Sequence, residues 1–366
     1  MKITANRDQL LGPLLQVGNV VERRQTLPIL ANVLLSVRPG ELTLTATDLE
    51  VELKTRIGVG CEGEGEFTLP ARKLIDICKA LPEGAELSLA LEGEKAVLRS
   101  GRGRYTLGLL PAQDYPTIEP SAPSEILTLS EGLLKRLIAR THFAMAQQDV
   151  RYYLNGMLLE IQTGRLRAVA TDGHRLAMCT ESPEGGPGSE IQIIVPRKAV
   201  LELSRLLSET DGEIRVEVSP SHIRVNREQT SFISKLIDGK FPDYERVMPM
   251  GEAHTLVADR ELLRQSLART AILSNEKYRG IRFRVSSGLL HLQAHNPEQD
   301  EAEEEIEVIY TGPEMTIGFN VGYLLDVLGA IDTDQIRIDL VDANSSTLVM
   351  PEADESCRYV IMPMRL

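Results

Sequence analysis

The chain has 366 residues, 42% hydrophobic and 25% charged, which is too long for one ordinary core and too apolar for wholesale disorder. No apolar run approaches the roughly 18–20 residues of a membrane helix, and the opening MKITANRDQL has no signal-peptide stretch, so a cytoplasmic protein with no membrane partner is expected. The formal net charge is −13, which on average repels nucleic acid.

In chain order, the first element is an amphipathic helix with Leu10, Leu11, Leu14 and Leu15 on one face. The same spacing returns as Leu133, Leu134, Leu137 and Ile138, and again as Leu262, Leu263, Ser266 and Leu267. An alternating strand follows each helix: Ala31–Val37, Asn155–Ile161 and Arg279–Val285, successive copies lying 124 positions apart. The next landmark keeps that register, with Thr47-Asp48 matched by Thr171-Asp172 and then by His295-Asn296. A second helix carries Leu74, Ile77, Cys78 and Leu81 in the first copy, Val200, Leu203 and Leu207 in the second, and Val321, Leu324, Leu325 and Leu328 in the third. Strands ending at LGLLP, ISKLI and YVIMPMRL close the copies. The chain therefore reads as three repeats, 1–125, 126–253 and 254–366, with boundaries in the turn-rich EPSAPSE and MPMGEAH. Short alternating runs between turns, with two helices per repeat, predict an α+β fold of mostly antiparallel sheet.

Charge is segregated along this pattern. Residues 7–24, 70–80, 133–148, 196–208 and 259–279 carry +1, +2, +3, +2 and +2, whereas 320–334 carries −3, so the rest of the chain holds −20. A solvated face explains any one basic helix; five of the same sign point to a shared basic surface suited to sequence-blind attraction to phosphates. Three spots stand out near these helices: Arg23-Arg24, the loop Gln147-Gln148-Asp149-Val150-Arg151-Tyr152-Tyr153, and Arg72-Lys73, matched by Arg197-Lys198. The adjacent tyrosines read equally as one packed in a core beside one on the surface, or as a loop touching a sugar-phosphate backbone or exposed bases.

Catalytic patterns are missing. No GxxxxGK[ST] or HExxH occurs, and the four cysteines, Cys61, Cys78, Cys179 and Cys357, form no CxxC pair. Neither a cofactor nor a metal is expected, and a reducing compartment suits the cysteines. Asp172 and His174 make the one conceivable acid–base pair, and a hydrolase built on them is the rival reading. A turn between two strands explains Asp172 and Gly173, and Glu50 replaces the histidine in the first repeat. A protein-binding scaffold is a third reading. The acidic run Glu298–Glu307 reads as a solvated edge strand or as a subunit contact, with Arg99, Arg102 and Arg104 as the complementary basic edge.

Over its whole length the chain resembles the β subunit of bacterial DNA polymerase III, the sliding-clamp family. The resemblance rests on RQTLPIL (24–30), TDLEVE (47–52), LPARKL (69–74), AQQDVRYYLNGMLLE (146–160), VATDGHRLA (169–177), KFPDYERV (240–247), ILSNEKYRGIR (272–282), HNPEQDEAEEE (295–305) and the terminal YVIMPMRL. It implies three clamp domains per subunit and a homodimeric head-to-tail ring around double-stranded DNA, with helices lining the hole and sheets outside. It also implies a non-catalytic processivity factor that tethers the replicative polymerase catalytic subunit, the clamp loader, other polymerases and repair proteins. His295 stands where the family more often has Asn.

The same resemblance implies site residues. DNA contacts are expected at Arg24, Arg72, Gln148, Tyr152 and Tyr153. The dimer interface is expected to set Ile272 and Leu273 against Tyr105 and Leu107, with Arg102 and Arg104 opposite Glu301, Glu303 and Glu304. A partner-peptide cleft is expected from Leu154, Thr171, Gly173, His174, Arg175, Leu176, Pro242, Arg246, Val247, Tyr323, Ser346, Val360, Met362, Pro363, Met364 and Arg365. Leucine, valine, proline and flexible methionine suit an adaptable apolar pocket.

Overall fold

The computed structural model describes residues 1–21, 27–119, 121–183 and 190–365. The first repeat runs β1 (Lys2–Asn6), α1 (Arg7–Gly18), β2 (Asn32–Arg38), β3 (Glu41–Thr47), β4 (Val51–Gly58), β5 (Gly60–Glu62), β6 (Gly65–Pro70), α2 (Ala71–Ala80), β7 (Glu86–Glu92), β8 (Lys95–Ser100) and β9 (Gly103–Gly108). The second runs β10 (Glu125–Ser130), α3 (Glu131–Thr141), β11 (Gly156–Gln162), β12 (Arg165–Thr171), β13 (Arg175–Glu181), β14 (Ile191–Pro196), α4 (Arg197–Leu206), β15 (Glu213–Val218), β16 (His222–Arg227) and β17 (Thr230–Lys235). The third runs β18 (His254–Asp259), α5 (Arg260–Thr270), β19 (Gly280–Ser286), β20 (Leu289–His295), β21 (Glu301–Glu307), β22 (Met315–Asn320), α6 (Val321–Ala330), β23 (Gln335–Leu340), β24 (Thr347–Pro351) and β25 (Cys357–Ile361).

The repeat predicted from the sequence is present with one addition. A short strand precedes the first helix of each copy: β1, β10 and β18. These strands are five or six residues long and abut their helices, so their alternation merges into the helical pattern that follows. Asn6 caps α1 by accepting from the Asp8 N–H, and Asp259 caps α5 by accepting from the Leu262 N–H. The predicted apolar face is complete only in α3, where Leu133, Leu134, Leu137 and Ile138 are all buried. In α1, Leu10 and Leu14 are buried while Leu15 is exposed; in α5, Leu262 is exposed.

Each repeat supplies two half-sheets, and these fuse across repeats. One compact unit comprises Met1–Gly132 and Leu201–Leu236. It holds the sheet β5-β1-β7-β8-β9 and the eight-stranded sheet β10-β15-β16-β17-β4-β3-β2-β6. In the latter, β17 of the second repeat pairs antiparallel with β4 of the first, Thr230 facing Thr55. The other unit comprises Leu133–Val200 and Ile237–Leu366. It holds β14-β11-β12-β13-β25-β24-β23-β18 and the four-stranded sheet β21-β20-β19-β22. There β25 of the third repeat pairs with β13 of the second, Cys357 facing Cys179, and those two cysteines are joined as a disulfide.

Apolar residues alternate inward along β15, β16, β19 and β20, whereas β2, β11 and β13 are buried along most of their length. Phe283 and Phe319 meet edge to face at 5.6 Å within the four-stranded sheet and its helices, both at most 1% exposed. The segments that follow the last strands of the first two repeats press a tyrosine onto a sheet: the Tyr115 hydroxyl donates to the Asn32 and Thr45 carbonyls, and that of Tyr244 to Glu160 at 2.7 Å.

One buried carboxylate anchors the start of α3. Glu131 is 3% exposed and accepts from the Ser208 N–H at 2.5 Å and the Ser208 hydroxyl at 2.7 Å, with Arg227 Nε at 3.0 Å. Burial alone raises this carboxyl, but the Ser208 hydrogen bonds and the Arg227 charge outweigh it and hold it below its ordinary value. A lowered carboxylate contributes stability that is complete above the ordinary carboxyl pKa and lost as pH falls through the lowered one. Glu131→Gln is expected to destabilise by about 3 kcal/mol at neutral pH, because it leaves Arg227 uncompensated. Urea denaturation as a function of pH checks this: the gap to wild type should close as pH falls below about 4.

Candidate functional site

The turn between β12 and β13 sets the centre of the site. Asp172 accepts from the backbone N–H groups of His174 at 2.9 Å and Arg175 at 3.1 Å, and from Arg175 Nε at 3.2 Å. The Thr171 hydroxyl donates to the Arg175 carbonyl and accepts from the Gly173 N–H. The first repeat builds the same turn from Thr47 and Asp48. At the third turn position Gly173 has φ +87° and Leu49 has φ +79°, so glycine relieves there a strain that leucine carries in the sister turn. Asp172 is thus consumed by turn and ion-pair bonds. It makes no side-chain pair with the exposed His174, and the hydrolase reading loses its base.

Arg175 is fixed from every side. Besides Asp172 it pairs with Asp326 of α6 and donates to the Phe143 carbonyl at 2.8 Å. Its guanidinium lies over the rings of Tyr323 at 4.5 Å and Phe143 at 5.4 Å. Burial, then the Asp172 carboxylate, pushes the Tyr323 phenol up.

Beside this turn lies an apolar cluster. Leu158, Val169, Leu176, Met178, Ile194, Phe241, Tyr244 and Val360 are buried together, and Tyr153, Ile237, Val247, Met248 and Leu348 pack against them while partly exposed. Leu176 faces Val360 across the β13–β25 ladder. The chain's end runs alongside, the Met362 N–H donating to the His174 carbonyl and the Met364 N–H to the Gly318 carbonyl. Of the sixteen residues expected in a cleft, Leu176, Val360 and Val247 belong to this cluster, Thr171, Gly173, His174, Arg175, Tyr323 and Met362 belong to the turn and its immediate partners, and Met364 is bonded to Gly318 of β22. Leu154 is buried at 1% exposure. Pro242 and Arg246 are exposed on the segment that carries Phe241 and Tyr244, with Arg246 paired to Asp243 at 2.7 Å. Ser346 and Pro363 are half-buried and Arg365 is exposed. Sequence reasoning missed Met248, Leu348, Phe241 and Asp326. Leu348 lies in the continuous apolar run Leu348–Met350 of β24, and nothing local marks Asp326.

The loop before β11 is tied to itself. Asp149 accepts from the Arg151 N–H, Nε and Nη2, and Asn155 bonds both the N–H and the carbonyl of Asp149. The Arg151 bonds hold the Asp149 carboxyl down to about 2. The constraint pushes the loop's other residues outward: Gln148 is exposed at φ +55°, Val150 is 95% exposed and Tyr152 is 56% exposed. Tyr153 turns the other way, into the apolar cluster, and meets Tyr152 edge to face at 5.7 Å. The pair is arranged as the first reading has it, with Tyr153 packed and Tyr152 on the surface. Arg72 is exposed on α2, and Arg24 lies outside the described residues.

The residues expected at a subunit contact lie at two strand edges. β9 ends one sheet, with Arg102 and Arg104 exposed, Tyr105 36% exposed and Leu107 buried. β21 ends another, with Glu301 and Glu303 exposed. Glu304 is bound within its own unit by Arg269 at 2.6 Å and 2.8 Å, and that bond lowers its pKa. Ile272, just after α5, is 76% exposed, and Leu273 is half-buried.

Comparison with known proteins covers the whole chain. Family models of the DNA polymerase III beta subunit match at residues 1–119 for the N-terminal domain, 128–243 for the central domain and 245–365 for the C-terminal domain. A beta sliding clamp of Pseudomonas aeruginosa is 56% identical and one of Escherichia coli K12 is 50% identical, each over 100% of both chains. Among solved structures, the P. aeruginosa sliding clamp bound to griselimycin superimposes with a TM-score of 0.96 at 55% identity over 100% of both chains. A beta sliding clamp of C. crescentus gives 0.95 at 40% identity, covering 100% of this chain and 99% of that one.

Proposed function

Because this chain belongs to the bacterial DNA polymerase III β-subunit family, the sliding clamps, we propose that two copies close head to tail into a ring around duplex DNA and hold the polymerase at the cleft described above. Its function is that of a processivity factor in DNA replication, without catalysis of its own. We take the three repeats, 1–125, 126–253 and 254–366, as its domains and the cytoplasm as its place of work.

The observation that carries the ring is a pair of unmatched edges. Within the chain, the third strand of a repeat's first sheet joins the last strand of the next repeat twice, β4 with β17 and β13 with β25. The remaining members of that pattern are β21 and β9, each at the end of its sheet. A second copy completes the pattern by setting its β9 against β21, a head-to-tail contact whose rotation closes. The internal joins also give the register. Thr55 and Cys179, which face Leu44 and Ala168, meet Thr230 and Cys357, the first residues of β17 and β25. The corresponding residue on β21 is Glu304, which faces Leu292, and the first residue of β9 is Gly103. Antiparallel pairing from that point sets Arg104 opposite Glu303 and Arg102 opposite Glu305 on one face. Tyr105 and Leu107 then fall on the other face, with Glu304, Arg269 and the exposed Ile272.

The cleft suits a short peptide with leucine or aromatic anchors, since an apolar floor with a half-exposed rim of Tyr153, Val247, Met248 and Leu348 buries such side chains. Gln148, Tyr152, Arg72 and Arg24 are our candidates for the DNA-facing side, with Tyr153 supporting Tyr152 from behind. Each contact to a phosphate is weak and exchangeable, so enclosure rather than grip retains the ring.

Four experiments test this reading. Arg24→Glu combined with Gln148→Glu is expected to shorten retention on nicked circular duplex at least several-fold while leaving the sedimentation of the dimer unchanged; equal retention overturns the assignment. Ile272→Ala with Leu273→Ala should give monomers at low micromolar concentration. On the same interface Arg104→Glu should weaken the dimer several-fold and Glu303→Arg should restore it, an exposed pair being worth about 0–1 kcal/mol. Removal of residues 362–366 should abolish calorimetric binding of a leucine- and phenylalanine-containing peptide and spare the dimer.

A further inference from the structure

The two strand joins inside the chain are both antiparallel and begin at equivalent positions, where their residue pairs differ in chemistry. In the β4–β17 join, Thr55 and Thr230 face each other and their hydroxyls lie 3.3 Å apart, sharing a hydrogen bond. The equivalent position of the β13–β25 join holds Cys179 and Cys357, bonded as a disulfide. Both cysteines are at most 2% exposed. Their surroundings are charged and polar: Arg140 Nη1 lies 3.9 Å from Cys357 Sγ, the Tyr359 hydroxyl lies 3.6 Å from Cys179 Sγ, and the Ser356 hydroxyl lies 3.9 Å from Cys357 Sγ. Arg140 is itself held by Glu181 of the second repeat and Asp332 of the third.

We propose that Cys179 and Cys357 form a reversible disulfide clasp that fastens the third repeat to the second beneath the apolar cleft, made and broken by exchange with low-molecular-weight disulfides and thiols. In the reducing compartment that suits the chain, such a bond is a redox-responsive device rather than a permanent staple. Closing it takes two protons and two electrons from the cysteines; a small disulfide accepts them and leaves as two thiols. For opening, an incoming thiolate attacks Cys179 Sγ and expels Cys357 as a thiolate beside the Arg140 guanidinium, a cation that favours the departing charge. A second small thiol then releases Cys179. Because Cys357 is the first residue of β25 and follows the exposed turn 352–355, the buried sulfurs become reachable when that strand end lifts. Leu176 and Val360 lie three positions along the same ladder from the bridge, so the clasp fixes the floor of the cleft. The covalent bond stands independently of what the cleft binds.

The test uses the full-length protein equilibrated in oxidised or reduced glutathione. Intact mass after alkylation should show Cys61 and Cys78 as the thiols remaining in the oxidised sample and all four cysteines after reduction. Oxidation should raise the thermal midpoint by about 4 °C or more and slow amide exchange in β25 by about tenfold or more. The double variant Cys179→Thr with Cys357→Thr reproduces the pair of the sister join; it should fold, bind DNA as wild type does, and show neither response to glutathione. Four alkylated cysteines in the oxidised sample overturn the proposal, as does an oxidised protein whose midpoint and β25 exchange match those of the reduced one. A threonine variant that keeps the glutathione response overturns it too, since the response would then belong to Cys61 or Cys78.

Discussion

Unfinished sheet edges organise this molecule. A repeat of about 120 residues makes two half-sheets, and each half-sheet ends in a row of unpaired backbone groups that attracts another strand. The chain meets that demand by lending the last strand of one repeat to the sheet of the repeat before it. As a result, its compact units do not coincide with the repeats: Met1–Gly132 gathers the second repeat's closing strands, Leu201–Leu236, and the rest of the second repeat travels with the third. In the proposed ring the same demand drives assembly, because β9 and β21 are what the two internal joins leave over.

Charge follows the same logic. The helix segment at 320–334 is the one acidic exception among six, and its side chains explain the exception. Asp326 pairs with Arg175 and Asp332 with Arg140, both from the second repeat. These carboxylates act as adhesive between repeats beside the cleft, work that opposes display of a positive surface at that helix. The acidic strand β21 divides similarly between tasks, with Glu304 held by Arg269 and Glu301 and Glu303 left outward.

Most of the fold was legible because its signals are local and repeated three times. The helix spacing at Leu10, Leu133 and Leu262 and the Thr-Asp turns at 47 and 171 mark the same places in successive copies, and the structure builds the latter with the same bonds. The leading strands β1, β10 and β18 escaped because five or six alternating residues flush against a helix are absorbed into its pattern. The site was legible as far as its turn and chain end reach. Its floor was not: Leu158, Met178, Ile194 and Phe241 are ordinary strand and loop hydrophobics until the β13–β25 ladder brings them under Leu176 and Val360. Asp326 and the Cys179–Cys357 bridge are products of pairing across 151 and 178 residues, a relation no short window of sequence holds.

The two joins also differ in what covers their sheets. Val169, Leu176 and Met178 of the apolar cluster correspond, 124 residues earlier, to Thr45, Glu52 and Lys54. In the first unit Glu52 is fully buried, yet its carboxylate is committed: it pairs with Lys54 at 2.7 Å and accepts from the Ile118 N–H at 3.0 Å. There the chain's own connecting segment satisfies the polar sheet face, and Tyr115 seals it by donating to Asn32 and Thr45. Where the second repeat has valine, leucine and methionine instead, no backbone group of the connecting segment could be satisfied by those side chains. Apolar surface is left partly open to solvent at Val247, Met248 and Leu348, and burying it is a gain reserved for something outside the chain. Three substitutions on one duplicated scaffold thus separate a sheet face whose polar side chains are tied down by the chain itself from one that leaves apolar surface partly open.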